Sequence, residues 1–199
     1  MKIILIGGTG TIGKAVEKEL GSRHDILVVG HSKGKFVTDI TSPESIINLF
    51  KKTGKVDAII IATGKLVFAP LASMDREKYL VGLNDKLMGQ VNVVLAGRDY
   101  LNEGGSFTLT SGILSHVPIM AGSSASMVNA AIEGFVIGAA IELPRGQRIN
   151  CVSPTVILES MKDYGPFFRG FEPAPVARVA LAFSRSVEGK QTGQIYRVE

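Results

Sequence analysis

Short, continuous apolar runs alternate with amphipathic stretches along almost the whole chain. The runs Ile3–Ile6, Ile26–Val29 and Ile59–Ile61 show no polar alternation, which is typical of strands covered on both faces in a parallel sheet. The stretches between them space their apolar residues as helices do. The pattern predicts strands at Lys2–Ile6, Asp25–Gly30, Val56–Ala62, Gly105–Thr110, Arg148–Val152 and Gln194–Val198, and helices at Gly13–Leu20, Pro43–Lys52, Arg76–Asn102, Ser123–Leu143 and Val176–Ser186.

This order of elements predicts the fold class. Strands that alternate with helices form a doubly wound parallel sheet, the Rossmann fold, with helices on both faces. No linker, repeat or low-complexity tract interrupts the 199 residues. We therefore expect residues 1–199 to form a single α/β domain.

The segment 158–175 departs from this pattern. It contains Tyr164, Phe167, Phe168 and Phe171 among glycines and prolines. A loop this apolar must pack on something. It is predicted to be either a lid over a ligand pocket or a loop docked on the protein's own core or on another subunit.

Composition and charge exclude several classes of function. The 22 basic and 18 acidic residues give a net charge of +4 without forming a basic stripe, which argues against nucleic-acid binding. No apolar run approaches the roughly 20 residues that cross a bilayer, so no membrane association is expected. Cys151 is the one cysteine. We therefore expect neither an internal disulfide nor a metal site. We do expect a reducing, cytoplasmic location.

A glycine-rich turn follows the first predicted strand and opens the first predicted helix. Its glycines stand three residues apart in Ile6–Gly13, which keeps the turn tight and lets the backbone approach a pyrophosphate. The free N–H groups and positive end of the helix attract that charge. In this strand–turn–helix context the motif predicts a dinucleotide site. The expected contacts are Gly7, Thr9, Gly10, Thr11, Ile12 and Gly13.

The end of the second predicted strand bears on which dinucleotide is bound. A free ribose 2′-hydroxyl is usually met by Asp or Glu about 20 residues after the glycines. This chain has Gly30-His31-Ser32-Lys33 there. No carboxylate repels a 2′-phosphate, and His31 and Ser32 are placed to contact one, so the sequence favours NADP over NAD. Solvated turn residues are the alternative interpretation.

Five segments together resemble motifs of the short-chain dehydrogenase/reductase family, and the resemblance runs over nearly the whole chain. It implies that Asp39, followed by Ile40, meets the adenine, and that Ser111 is the serine that orients the substrate carbonyl. It also implies that Ala62, Thr63, Gly64 and Thr155 contact the cofactor. The segments are Val37–Thr41, Ile61–Gly64, Thr108–Gly112, Ile149–Thr155 and Gly189–Gln194.

The chain departs from this family at the catalytic residues. The family uses a Tyr that exchanges the proton and a Lys four residues later that lowers its pKa. The expected Tyr-x-x-x-Lys falls within Gly122–Asn129, which contains neither residue. One alignment puts Ala125 and Asn129 in the two positions, and a shift by two puts Ser123 and Met127 there. Neither alignment restores the pair.

A divergent branch offers a closer match. In polyketide and fatty-acid ketoreductases the Lys and Asn exchange places, so the Lys lies on the preceding helix and the motif becomes Tyr-x-x-x-Asn. Lys86–Asn92 is similar to that branch's Lys-x-x-Gly-x-x-Asn helix, and Lys86 with Asn129 reproduces the exchanged pair without its Tyr. A surface lysine at 86 is the alternative, Asn84 competes for the role of the usual catalytic Asn, and Tyr164 is a candidate replacement acid.

These observations predict an NADP-dependent oxidoreductase that transfers a hydride to or from a small carbonyl or alcohol. Lys86, Asn129 and Ser111 are its predicted catalytic residues. The alternative is a catalytically silent NADP-binding protein that acts as a redox sensor or partner subunit. The missing Tyr favours this alternative. The broad apolar face of Val128–Leu143 and the family's habit of pairing through this helix predict a homodimer or homotetramer.

Overall fold

The computed structural model describes residues 1–199 and contains one sheet of seven strands. In chain order the strands are β1 (Lys2–Ile6), β2 (Asp25–Gly30), β3 (Phe36–Val37), β4 (Val56–Ile61), β5 (Leu101–Thr110), β6 (Arg148–Pro154) and β7 (Ile195–Val198). Across the sheet they lie in the order β3-β2-β1-β4-β5-β6-β7, and all neighbours are parallel. The predicted doubly wound α/β sheet is confirmed.

Helices cover both faces of this sheet. The predicted long helix Arg76–Asn102 is shorter and interrupted, because a π-helical turn occupies Leu83–Leu87 and residues Leu101 and Asn102 already belong to β5. The other predicted elements match to within a few residues. The helices are α1 (Thr11–Leu20), α2 (Pro43–Thr53), α3 (Arg76–Gly82), α4 (Met88–Gly97), α5 (Ser123–Ala139), α6 (Met161–Tyr164) and α7 (Val176–Glu188).

The central strand β1 shows why its apolar run is continuous. Ile4 and Ile6 pack into the cluster formed with α2, α4 and α5, whereas Ile3 and Leu5 pack into the cluster formed with α1 and α7. All four side chains are at most 2% exposed. Successive side chains of a strand point to opposite faces, so a sheet with helices on both faces needs an apolar residue at every position.

The strand order reverses between β1 and β4. The chain builds β2 and β3 on one side of β1 and then crosses back to place β4 on the other. In sheets of this kind a crevice opens outside the carboxyl ends of the strands at the reversal, and ligands bind there. No helix of the structure combines the length and apolarity needed to cross a bilayer.

The segment 158–175 is a compact excursion rather than an open loop. Short helical turns at Leu158–Ser160 and Gly165–Phe167 flank α6. Its two ends are tied together, because the Leu158 N–H donates to the Ala174 carbonyl oxygen at 2.9 Å. Its role as a lid stays a prediction.

Candidate active site

The glycine turn leaves helix α1 with free amide groups. The Gly10 N–H donates to the Gly7 carbonyl at 3.0 Å, and the Lys14 N–H makes the first bond of the helix, to the Gly10 carbonyl at 2.9 Å. The amides of residues 11–13 therefore precede the helical ladder and are available to an anion. Gly13 must be glycine, since a Cβ there would lie 2.5 Å from the Gly8 Cα.

A cavity of about 250 Å³ opens beside this turn, where the sheet order reverses. Most of the predicted cofactor residues line it: Gly7, Thr9, Gly10, His31, Asp39, Ile40, Ala62 and Thr63. The predicted contacts Thr11, Ile12, Gly13 and Ser32 do not line it, although Thr11 and Ile12 carry free helix amides and Ser32 is exposed beside His31. The free amides and this cavity fit a dinucleotide, and we call it the dinucleotide cavity.

The Asp39 carboxylate is anchored in the wall of the dinucleotide cavity. Its Oδ1 accepts the hydroxyl of Thr41 at 2.7 Å and the Thr41 N–H at 2.9 Å. These bonds, the hydroxyl bond first, lower the pKa of Asp39. The carboxylate is thus charged, and its second oxygen can accept from an amine. His31 and Lys65 line the same cavity and supply basic groups to it.

A second cavity of about 460 Å³ adjoins the first, and Lys65 lines both. We call it the substrate cavity. Half of its 18 lining residues are hydrophobic. The predicted residues Lys86, Ser111, Asn129, Gly64 and Thr155 all lie in its wall, and the segment 158–175 contributes Ser160, Tyr164 and Phe168. The Thr155 hydroxyl is buried without a hydrogen-bond partner, so it can serve a bound molecule.

Lys86 and Asn129 form a buried hydrogen-bonded pair in this wall. Lys86 Nζ donates to Asn129 Oδ1 at 2.8 Å and to the Ser111 carbonyl oxygen at 3.1 Å. Lys86 is 9% exposed, so its interpretation as a surface lysine is wrong. Asn84, by contrast, is exposed and lines a groove outside the substrate cavity.

Two backbone features place Lys86. It lies in the π-helical turn Leu83–Leu87, a deviation that is frequent at functional sites. Gly64 packs directly on it: φ at Gly64 is +138°, and a Cβ there would lie 2.5 Å from the Lys86 Cγ. Glycine at 64 thus lets the loop after β4 approach the lysine.

Burial sets the ionisation of Lys86. Removal from water lowers the pKa of Lys86 from 10.5 to about 8. The nearby thiol of Cys151 is not a counter-ion near neutral pH, because burial raises its pKa to about 12. The lysine is therefore a cation near neutral pH that gives up its proton more readily than a lysine in water.

The Ser111 hydroxyl is engaged elsewhere. It donates to Glu133 Oε1 at 2.9 Å, the Ser153 hydroxyl donates to the same oxygen at 3.0 Å, and Arg197 pairs with Oε2 at 3.2 Å. The structure thus brings Ser111 into the cavity wall but directs its proton to a carboxylate. Sequence reasoning missed Glu133, whose signal was the one charged residue in an otherwise uncharged helix, four positions after Asn129.

Ala125, not Ser123, lies in the wall of the substrate cavity. Ala125 and Asn129 line the substrate cavity, whereas the Ser123 hydroxyl is paired with Tyr79 at 2.9 Å and Met127 is 40% exposed. The alignment that pairs Ala125 with Asn129 therefore describes the site.

Two further positions complete this part of the wall. A Cβ at Gly112 would lie 3.1 Å from the Asn129 Nδ2, so a side chain at position 112 would crowd this amide. Tyr164 stands in the wall, packed edge-on against Phe68 with ring centroids 6.0 Å apart.

Comparisons with solved structures agree with this architecture. The protein lin1944 of Listeria innocua is 49% identical over the whole of both chains, with a TM-score of 0.98. A small-chain dehydrogenase solved in complex with NADPH is 25% identical over 100% of this chain and 96% of that one, with a TM-score of 0.89.

Sequence comparisons assign the family. The bifunctional ribulose 5-phosphate reductase/CDP-ribitol pyrophosphorylase Bcs1 of Haemophilus influenzae is 29% identical over 98% of this chain, which spans 42% of that relative. A family model described as enoyl-(acyl carrier protein) reductase matches residues 16–198. With the glycine turn, the strand order and the Lys86–Asn129 pair, these matches place the chain in the short-chain dehydrogenase/reductase family.

Proposed function

We propose that this protein is an NADP-dependent oxidoreductase that reduces a small carbonyl compound or oxidises the corresponding alcohol. The observation that carries the proposal is the buried Lys86–Asn129 pair in a cavity that adjoins the dinucleotide cavity. A fixed cationic donor beside the place where an alkoxide forms is what carbonyl reduction needs. The bound dinucleotide supplies the hydride, and the residues of this chain position the carbonyl and handle its proton.

The choice of NADP is supported by the edge of the dinucleotide cavity. His31 and Lys65 line it, and β2 ends at Gly30 without a carboxylate after it. A solved relative at 25% identity is a complex with NADPH. The buried free thiol of Cys151 is compatible with a reducing compartment, and we place the activity in the cytoplasm.

Ser32→Asp is expected to weaken NADPH binding roughly ten- to hundredfold and to leave NADH binding nearly unchanged. A carboxylate beside the 2′-phosphate costs about 1.4 to 2.8 kcal/mol at surface dielectric values. Titration of both cofactors by fluorescence measures the effect. Ser22→Asp is the matched control, because Ser22 is exposed before the amino end of β2. Equal loss in both variants would contradict the placement of the phosphate.

The shape and chemistry of the substrate cavity bear on the substrate. Its wall includes Leu66, Phe68 and Phe168, and its basic side chains are Lys86 and Lys65. Such a wall suits a ketone or aldehyde that carries an apolar group better than a sugar phosphate, which is usually held by several charged donors. We therefore propose an apolar carbonyl substrate.

The activity is tested with the purified protein, NADPH and a panel of carbonyl compounds. The panel contains apolar ketones, aldehydes and ribulose 5-phosphate, and loss of NADPH fluorescence reports turnover. Turnover of an apolar carbonyl would support the proposal. Tight NADPH binding without turnover of any carbonyl would favour the silent NADP-binding protein, whose supporting observation is the alanine at position 125.

We also propose that the protein forms a homodimer or homotetramer through α4 and α5. Large apolar side chains on and just after these helices face solvent in the single chain. Leu95 is 49% exposed, Ile137 58% and Ile141 88%. Large apolar side chains left exposed on a helix can mark association sites.

Ile137→Glu is expected to convert the assembly to a monomer of 21.2 kDa, because a charge at a packed apolar contact is costly to bury. Light scattering after size-exclusion chromatography measures the mass. Leu71→Glu is the control, since Leu71 is 71% exposed and lies outside both helices. A monomeric wild-type protein would contradict this proposal.

A further inference from the structure

Carbonyl reduction needs hydrogen-bond donors at the substrate oxygen, and this site lacks the tyrosine that the family uses. The donors that remain in the cavity wall therefore decide the mechanism, and they include the hydroxyls of Thr155 and Tyr164 as well as Lys86 and Asn129. Ser111 is engaged, because its hydroxyl donates to Glu133. Lys86 and Asn129 are buried in the wall beside the positions, Ala125 and Gly112, that carry no polar side chain.

The Asn129 amide has a fixed orientation. An ammonium group can only donate, so the atom of Asn129 that lies 2.8 Å from Lys86 Nζ must be the carbonyl oxygen. The amide nitrogen Nδ2 is therefore not bonded to the lysine, and it makes no hydrogen bond to any other group of the protein. Since residue 112 is glycine, no side chain covers this nitrogen from that position.

Lys86 also has a proton to give. Its ammonium carries three N–H bonds, and two of them are directed to Asn129 Oδ1 and the Ser111 carbonyl. The third has no acceptor in the protein, and Lys86 lines the substrate cavity. The two bonds hold the nitrogen in place, so the third N–H can serve a substrate oxygen without the side chain moving.

We propose that Asn129 Nδ2 binds the substrate oxygen and that Lys86 Nζ protonates it directly, without a tyrosine. This inference rests on the proposed reductase function and deepens it. As the hydride of NADPH joins the carbonyl carbon, the C=O π pair moves to oxygen, and an N–H bond of Lys86 breaks as an O–H bond forms. Lys86 becomes neutral and the cofactor leaves oxidised as NADP⁺. Lys86 then takes up a proton from the solution, so one proton is consumed for each carbonyl reduced.

The charged groups around Lys86 are compatible with this role. Cys151 on β6 stays a thiol, because burial raises its pKa to about 12. Glu133 on α5 forms an ion pair with Arg197 on β7. On the turn of Lys86 itself, Asp85 Oδ1 accepts the Lys65 N–H at 2.8 Å. No carboxylate is paired with Lys86, so its pKa stays lowered, to about 8.

The first test compares Lys86→Met, which removes the charge, with Lys86→Arg, which keeps it but is too weak an acid to release a proton. In both variants kcat for NADPH-dependent reduction is expected to fall roughly 10²- to 10⁴-fold, which is the usual rate contribution of a positioned general acid. NADPH titration and unfolding curves show whether each variant folds and binds. Full activity in Lys86→Arg would overturn proton donation in favour of electrostatic stabilisation alone.

The second test does not depend on the variants folding. The wild-type rate of reduction is expected to fall above pH 8, and NMR titration of isotope-labelled lysine in the cofactor-free protein should show one lysine with a matching pKa. A lysine spectrum in which every residue titrates near 10.5, or a rate that stays flat to pH 10, would overturn the proposal.

Asn129→Asp separates the two residues. A carboxylate beside the ammonium favours the charged lysine, so the alkaline limb of the rate profile and the NMR pKa should both move upward by about one unit or more. Loss of the amide donor should lower kcat as well. An alkaline limb that does not move in Asn129→Asp would overturn the pairing of the two residues. If Tyr164→Phe loses activity while Lys86→Met stays active, the proton comes from the tyrosine.

Failure of this inference is distinguishable from failure of the proposed function. If the wild type reduces carbonyls and Lys86→Met does so equally well, the reductase stands and direct proton donation falls. If the wild type binds no NADPH or reduces no carbonyl, both fall, whatever pKa the lysine shows.

Discussion

Gly64→Ala is expected to destabilise the protein by about 3 kcal/mol or more, through strain and overpacking, and to slow carbonyl reduction roughly 100-fold or more, through displacement of the acid. The backbone at Gly64 has φ +138°, and an added Cβ would lie 2.8 Å from the Lys86 Cα. Because that neighbour is backbone, the turn that carries Lys86 must move. Urea unfolding and kcat measure the two effects.

The matched control separates backbone strain from collision. Gly34 also has a positive φ, +118°, but a Cβ there would meet nothing closer than 3.6 Å. Gly34→Ala should therefore show the strain alone, a loss of about 1 kcal/mol. If Gly64→Ala lost no more stability than this control and kept its activity, the close approach of Gly64 to Lys86 would not be needed for stability or activity.

The wild-type protein should gain stability relative to Lys86→Met as the pH rises from 7 to 10.5. The folded protein holds the pKa of Lys86 at about 8, below its ordinary 10.5. Between these values the unfolded chain binds the proton and the folded protein does not, so the free energy of unfolding rises with pH. A shift of this size amounts to about 3 kcal/mol.

The difference between the two proteins is the quantity to measure, by urea unfolding at several pH values. Cys151 opposes the effect above pH 9, because its folded pKa is raised and its thiol must stay protonated. Burial, the largest cause of this shift, is common to both proteins, so the comparison removes most of the Cys151 contribution. Parallel curves would show that the lysine titrates normally in the folded state.

The sheet and the dinucleotide site could be predicted from local sequence patterns. A buried parallel strand such as Ile3–Ile6 shows its burial on both faces in its own residues. The glycine turn works in the same way, because Gly7, Gly10 and Gly13 act through backbone geometry within one short segment. The two-residue strand β3 was missed because it is too short to show a period.

The wall of the substrate cavity was harder to predict by such reasoning. The resemblance to ketoreductases singled out Lys86 and Asn129, which lie 43 positions apart, and the structure joins them. The resemblance did not indicate where the Ser111 hydroxyl is directed, because Glu133 stands 22 positions away, on a different element of the fold. The π-helical turn at Leu83–Leu87 also carries no local signal.

The sequence alone determined that this is a doubly wound α/β protein with a glycine turn for a dinucleotide and with no tyrosine in the segment Gly122–Asn129. These are properties of single segments. Tertiary structure decided how the groups in the wall of the substrate cavity are bonded: Ser111 is held by Glu133, and Lys86 is buried and bonded to Asn129. The physical reason is that the direction and the pKa of a side chain depend on neighbours distant in the chain and on removal from water. Only folding brings those neighbours together and excludes the water.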